Sequence, residues 1–233
     1  MFEDRISAGL QLARHLVELP VKDPVVLALP RGGAPVALPI AQALQAPMDL
    51  LLVRKIGMPS NPELAAGALA EGSNPIFNNA LLRIAGLRPE DFAAQVGQAR
   101  EENAARRARY LRGRAPVELA GRTAIVVDDG IATGATFMAA HIWLKERGPA
   151  SVILAVPVAP PEAVDELRPL VDTVICLLCP EEFRAVGVHY RDFTQTSDAE
   201  VMAALAAAPQ AGAGKDKTWF LRFRRRARST PIG

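Results

Sequence analysis

Short apolar runs alternate along the chain with longer stretches in which apolar and polar positions interleave. Val25-Val26-Leu27-Ala28-Leu29, Leu50-Leu51-Leu52-Val53, Ala124-Ile125-Val126-Val127, Val152-Ile153-Leu154-Ala155-Val156 and Val174-Ile175-Cys176-Leu177-Leu178 contain no charged side chain. Runs of this length without polar alternation suit strands covered on both faces, the pattern of a parallel sheet. Between them the spacing of apolar positions predicts helices over 4–19, 34–44, 89–112, 136–147 and 161–167. Strand and helix in regular order predict an α/β domain on an open parallel sheet.

Local signals set several boundaries. Arg147-Gly148-Pro149 combines a basic last turn, a glycine able to adopt the left-handed cap and a proline that cannot continue the helix. Ser197 with Glu200 fits a capping box that opens a helix over 199–207. Pro39 falls inside the helix drawn from residue 34, which predicts a kink or a later start. Between the second and third predicted parallel strands lies a long excursion over 56–121, read as a hairpin (63–72 with 75–78) followed by the helix over 89–112. Acids open that helix and arginines close it, as the helix dipole favours, and Glu102 with Arg106 adds an i, i+4 pair. Its second half is polar around the whole circumference, which predicts projection into solvent or, in a homodimer, toward another subunit. Small residues over 206–214 read as a linker, so the chain divides into one domain over 1–208 and a flexible tail over 209–233.

Composition narrows the class. Half of the 233 residues are apolar and 22% are charged, which excludes a disordered chain, and the net charge is only +2. That total hides an asymmetry: the segment 215–233 carries a local +6, leaving −4 on the body. Two cysteines exclude a disulfide-framed secreted module. The opening Met1-Phe2-Glu3-Asp4-Arg5 is charged where a signal peptide is apolar, and no apolar stretch approaches the ~18 residues of a membrane span, so a cytoplasmic protein without an integral membrane segment is expected. Gly214-Lys215 is followed by Asp216 rather than completing a Walker A motif, and no G-x-G-x-x-G occurs.

Ligands of open parallel sheets bind beyond the carboxyl ends of the strands, so the residues after each apolar run carry the candidate chemistry. After Ala124-Ile125-Val126-Val127 come Asp128-Asp129-Gly130-Ile131-Ala132-Thr133-Gly134-Ala135-Thr136 and then a helix. Two carboxylates can accept hydrogen bonds from neighbouring sugar hydroxyls, while loop amides, threonine hydroxyls and the helix N-terminus can hold a phosphate. A sugar at one end and a phosphate at the other outline a ribose 5-phosphate. The second turn, Leu29-Pro30-Arg31-Gly32-Gly33-Ala34, offers two glycines that let backbone amides approach a ligand and a cation suited to a diphosphate. The third is Arg54-Lys55 after Leu50-Leu51-Leu52-Val53.

The segment from Asp128 to Thr136 resembles the phosphoribosyl diphosphate (PRPP) signature of the type I phosphoribosyltransferases: apolar residues, two acids, two variable residues, then Thr-Thr-Gly and a small residue before Thr. It departs at Ala132, where a first Thr is usual, and at Ala135, where Gly is common; one missing hydroxyl removes about 1 kcal/mol of phosphate binding and leaves the backbone amides. The likeness covers roughly residues 22 to 180. With Pro-Arg-Gly-Gly, Arg-Lys and Ala155-Val156-Pro157-Val158-Ala159-Pro160 it looks like a subgroup of that family whose acceptor is unassigned.

The resemblance implies a Rossmann-like phosphoribosyltransferase fold with the excursion inserted and a small C-terminal hood. It implies that Asp128 and Asp129 hold the ribose hydroxyls, Ala132, Thr133, Gly134, Ala135 and Thr136 the 5-phosphate, and Arg31, Gly32 and Gly33, with Lys55 or Arg54, the diphosphate. It implies a mobile loop over 57–72 that covers PRPP, and Mg²⁺ carried mainly by substrate and water, with no dedicated ligand cluster. The implied activity is transfer of a phosphoribosyl group between PRPP or diphosphate and a nitrogenous acceptor such as a nucleobase. The rival is a regulator that keeps the fold and senses PRPP or nucleotides without turnover, touching nucleic acid through the tail.

Other residues carry weaker signals. Phe183, Tyr190 and Phe193 lie in an aromatic-rich segment after the last strand, where a hood aromatic can stack on an acceptor base; packing in a core is the competing role. Cys176 and Cys179 spell C-x-x-C, yet positions three apart on a strand point to opposite faces, which predicts buried structural thiols. His15 and His141 fall on predicted helices as surface or packed imidazoles, and His189 belongs to the aromatic segment. The tail Trp219-Phe220-Leu221-Arg222-Phe223-Arg224-Arg225-Arg226-Ala227-Arg228 mixes aromatics with arginines and could touch an anionic lipid or nucleic acid, the alternative being a solvated extension.

Overall fold

Four of the five apolar runs become the strands they imply, and the fifth is displaced. The computed structural model of the chain describes residues 1–59 and 61–210, so the basic tail lies outside the described residues apart from Pro209 and Gln210. Contacts divide the chain into two compact units. Among the described residues, the first comprises Met1–Leu50, Pro116–Ala132 and 149–210, the second Leu51–Ala115 and Thr133–Gly148.

The first unit is built on a five-stranded, wholly parallel sheet in the order β2-β1-β6-β7-β8, formed by β1 (Pro24–Ala28), β2 (Met48–Leu50), β6 (Thr123–Val127), β7 (Ser151–Val158) and β8 (Thr173–Leu178). Every residue of β1 and β6 is buried, as two-sided coverage of a central strand requires. The helices here are α1 (Arg5–Leu16), α2 (Gly33–Leu44), α6 (Pro161–Leu167) and α7 (Asp198–Ala207). Asp4 and Ser7 cap α1 reciprocally, and Ser197 with Glu200 caps α7 as expected from sequence. Helix α2 packs on β1, α1 and α7, while α1 also meets β7 and β8. It begins at Gly33 and continues through Pro39, and the reason lies across the contact: a Cβ on Gly9 of α1 would sit 2.8 Å from Pro39 Cγ and closer still to the Val36 carbonyl. The bare glycine lets the proline turn of α2 seat against α1.

The second unit holds the excursion. Strands β3 (Val53–Met58), β4 (Asn61–Ala70) and β5 (Ile76–Phe77) form an antiparallel sheet in that order, followed by α3 (Asn79–Ala85) and α4 (Ala93–Leu111). The run over 50–53 therefore is not one strand: β2 ends at Leu50, Leu51 and Leu52 are buried between elements, and Val53 opens β3. A run of leucines reports burial but not where the strand breaks. The expected covering loop over 57–72 is for most of its length strand, the hairpin arm of β3 and β4.

Ile56, Met58, Ala66, Leu69, Leu82, Phe92, Val96 and Ala99 form the core of this unit, with Phe77 and Phe92 rings 5.3 Å apart. The second half of α4 is not bare of tertiary contacts, contrary to its polar circumference. Asn103 is 1% exposed and donates to the carbonyls of Leu69 and Leu52, and Arg107 pairs with Glu71 at 3.0 Å. The crossover helix α5 (Ala135–Arg147) also belongs to this unit, buried through Phe137, Ala139, Ala140, Trp143 and Leu144. The Trp143 indole donates to the Glu71 carbonyl at 2.8 Å, with the Arg147 guanidinium 3.8 Å over the ring. His141 is buried beside Phe137, and burial lowers its pKa.

The cysteines depart from their expected burial. Cys179 lies just past β8 and is exposed, so strand alternation no longer governs it, while Cys176 is half-buried. Burial and the neighbouring Cys179 thiol push the Cys176 pKa up to about 12. Among the described residues no helix is long and apolar enough to cross a membrane.

Candidate functional site

Because β1 and β6 are neighbours in register, Ala28 opposite Val127, the turns that leave their carboxyl ends meet. The Leu29 amide donates to the Val127 carbonyl at 2.9 Å, and the Pro30–Arg31 peptide bond that follows is cis. A Cβ on Gly33 would lie 2.6 Å from the Val127 carbonyl oxygen and 3.1 Å from the Asp128 Cα, and one on Gly32 would overlap the Asp129 carboxylate. Gly33 leaves no room for a side chain against the backbone, and one at Gly32 would push the Asp129 carboxylate aside, so the Arg31-Gly32-Gly33 turn lies directly on the acid pair. The Arg31 side chain is about two-fifths exposed and comes within 3.7 Å of Asp198.

The two acids are held differently. Asp128 accepts from the Asp129 amide at 2.8 Å through Oδ1, and burial together with the adjoining carboxylate keeps its pKa well above the ordinary value. The Asp129 carboxylate accepts from Arg5 Nε at 2.7 Å, with both side chains mostly buried. Its carbonyl accepts from the Tyr190 hydroxyl at 2.5 Å; burial raises the Tyr190 pKa, so the phenol remains a donor. The turn is fastened to β7 by the Ile131 amide on the Val158 carbonyl at 2.9 Å.

The rest of the motif belongs to the second unit. Gly134 takes the left-handed conformation, φ 70°, ψ −5°, as N-cap of α5, and no side chain caps that terminus among the described residues. Thr133 and Thr136 are exposed, and the Gly134 carbonyl accepts the first helical bond, from the Met138 amide at 3.0 Å. A helix start with no side-chain cap and two hydroxyls beside it presents amides suited to an anion. Arg54 and Lys55 are in the same unit but inside β3, opposite Leu69 and Ala68, rather than at the end of a parallel strand. Arg54 is ion-paired with Glu102.

Of the aromatics after β8, Tyr190 is 5% exposed and packed between Phe2 and Phe193, with ring centroids at 5.3 and 5.0 Å. Arg5 lies 3.9 Å over the Phe193 ring. Phe183 is half-buried and stacks on His189 at 5.8 Å. Sequence reasoning missed Arg5, which acts across 124 positions. One local signal existed: a cation occupies the first turn of α1, where the helix dipole favours an acid.

The sequence profile of the phosphoribosyl transferase domain matches residues 5–192. Two Mycobacterium tuberculosis proteins, from strains CDC 1551 and H37Rv and both provisionally named phosphoribosyl transferase, are 47% identical over 205 residues, which is 88% of this chain and 46% of theirs. The chain thus spans about half the length of these relatives. The crystal structure of TT1426 from Thermus thermophilus superimposes with a TM-score of 0.77 at 41% identity, covering 88% of this chain and 97% of that one.

Proposed function

Since the chain belongs to the phosphoribosyl transferase domain family, we propose that it moves a 5-phosphoribosyl group between the diphosphate of PRPP and a nitrogenous acceptor. The observation that carries this reading is the seating of the Arg31-Gly32-Gly33 turn on Asp128 and Asp129, an approach that a side chain at Gly33 would block against the backbone and one at Gly32 would reach only by displacing the Asp129 carboxylate. In this reading the turn takes the diphosphate and the acid pair the sugar, the two ends of the bond to be broken.

Departure of diphosphate from the anomeric carbon passes through an oxocarbenium-like state and needs no covalent nucleophile. It needs donors on the leaving group and firm hydrogen bonds on the ribose. Asp128 and Asp129 accept from the ribose 2- and 3-hydroxyls. The amides of 132–136 and the Thr133 and Thr136 hydroxyls take the 5-phosphate. Arg31 and the amides of Gly32 and Gly33 take the diphosphate, with Lys55 or Arg54 as a further cation. The donor set at the acid pair, two carboxylates with one already engaged by Arg5, fits Mg²⁺, which Asp128 and Asp129 would hold together with the substrate. When bound, that ion offsets the charge of the leaving group. The half-exposed Phe183, backed by His189, offers an aromatic face for an acceptor base.

The test is calorimetric titration of Mg-PRPP. Asp128→Asn with Asp129→Asn together should abolish binding while circular dichroism stays native, and unchanged affinity would rule out the assignment. Diphosphate release with a panel of bases then separates turnover from sensing: tight binding with no release for any acceptor would favour a regulator.

A further inference from the structure

Arg5 has no part in the family motif, yet it is the side chain most firmly tied to the acid pair. Its Nε donates to Asp129 Oδ2 at 2.7 Å, its Nη1 donates to the Thr194 carbonyl at 2.8 Å, and its guanidinium plane lies 3.9 Å over Phe193. Side-chain exposure is 11% for Arg5 and 16% for Asp129, so solvent screens the pair far less than it screens a surface ion pair. Helix α1 gains nothing from a cation in its first turn, where the dipole opposes it. A residue that breaks a local preference while fully engaged elsewhere marks a demand made by a site.

The surroundings show what is being held. The Phe2 amide donates to the His189 carbonyl at 2.8 Å, the Arg191 amide to Phe2 at 2.9 Å and the Asp192 amide to Glu3 at 2.9 Å. Residues 2–5 and 189–194 are thereby laced together, and each strand of the lacing ends on Asp129, Arg5 on its carboxylate and Tyr190 on its carbonyl. Asp128 has no such fastening to distant residues among the described ones; its carboxylate accepts the local amide of Asp129 and meets the neighbouring carboxylate.

We infer that Arg5 is a positioning residue of the site: it holds the Asp129 carboxylate by one oxygen and in one orientation, so that the other can accept a ribose hydroxyl. This rests on the proposed phosphoribosyl reading. It also gives the N-terminal segment a part in ligand binding that the Asp128 to Thr136 motif does not contain.

The test compares two ligands on the full chain. Arg5→Met should weaken Mg-PRPP about tenfold or more, the range of a hydrogen bond to a charged group, and leave Mg-diphosphate, which has no ribose, unchanged. Arg5→Lys, which returns the charge without the fork, should recover part of the loss. In Arg5→Met with Asp129→Asn, affinity should be no lower than in Asp129→Asn alone, because Arg5 acts through that carboxylate. Equal loss for both ligands, full PRPP affinity in Arg5→Met, or losses that multiply in the double variant would each overturn the inference. Failure of the unaltered chain to bind Mg-PRPP would instead sink the phosphoribosyl reading, and this inference with it.

Discussion

At the scale of single residues, the acid pair sets binding against stability. An ordinary aspartate titrates near 3.8, and the folded Asp128 well above that. Between those two values the native state keeps a proton that the unfolded chain has released, so stability falls as pH rises through the window. Asp128→Asn removes that dependence. Its thermal midpoint should match the parent at pH 3 and exceed it at pH 8, by about 2–4 °C for each kcal/mol relieved. Melting curves at the two pH values decide it, and a parent that gains on the variant with rising pH would refute it. The two acids and the glycine pair were legible in sequence because their chemistry is local, each pair following its own apolar run. Arg5 was not: nothing near it in the chain names Asp129, and only the misplaced charge at a helix start hinted at a distant partner.

At the scale of elements, apolar patterning found four of the five parallel strands and the helices between them, and misplaced the break that separates β2 from β3. A run of leucines cannot say that β2 stops at Leu50 and β3 begins at Val53, since Leu51 and Leu52 are as buried as the strand residues beside them. Nor does periodicity recognise Asn103 as an inward position, because a buried carboxamide that ties two carbonyls reads as polar surface. The seam between α1 and α2 is sharper still. Gly9→Ala should improve helix propensity by about 1 kcal/mol, but overpacking against Val36 and Pro39 costs about 1–3 kcal/mol, so the variant should be the less stable. A urea midpoint higher than the parent's would show that the seam opens freely.

At the scale of the whole chain, the body carries −4 and the segment 215–233 carries +6, so the charge that makes the molecule basic lies outside the residues that build the site. Ending the chain at residue 208 should move it from cation to anion exchanger at pH 7 and leave Mg-PRPP affinity unchanged; weaker binding would give the tail a part in the site. The alternation of strands and helices was visible from sequence, whereas the division into two compact units was not, because α5 is the crossover of one sheet in chain order and a core helix of the other unit in its contacts.

That allegiance of α5 supplies an optical handle. The chain has two tryptophans, and Trp143 is buried with its indole bonded to Glu71 and a guanidinium on its face. Replacing Trp219 with phenylalanine leaves a single indole fluorophore, whose emission and quenching follow the excursion unit alone while far-ultraviolet dichroism follows the entire backbone. The melting of one half of the molecule can then be timed against that of the whole without attaching a dye.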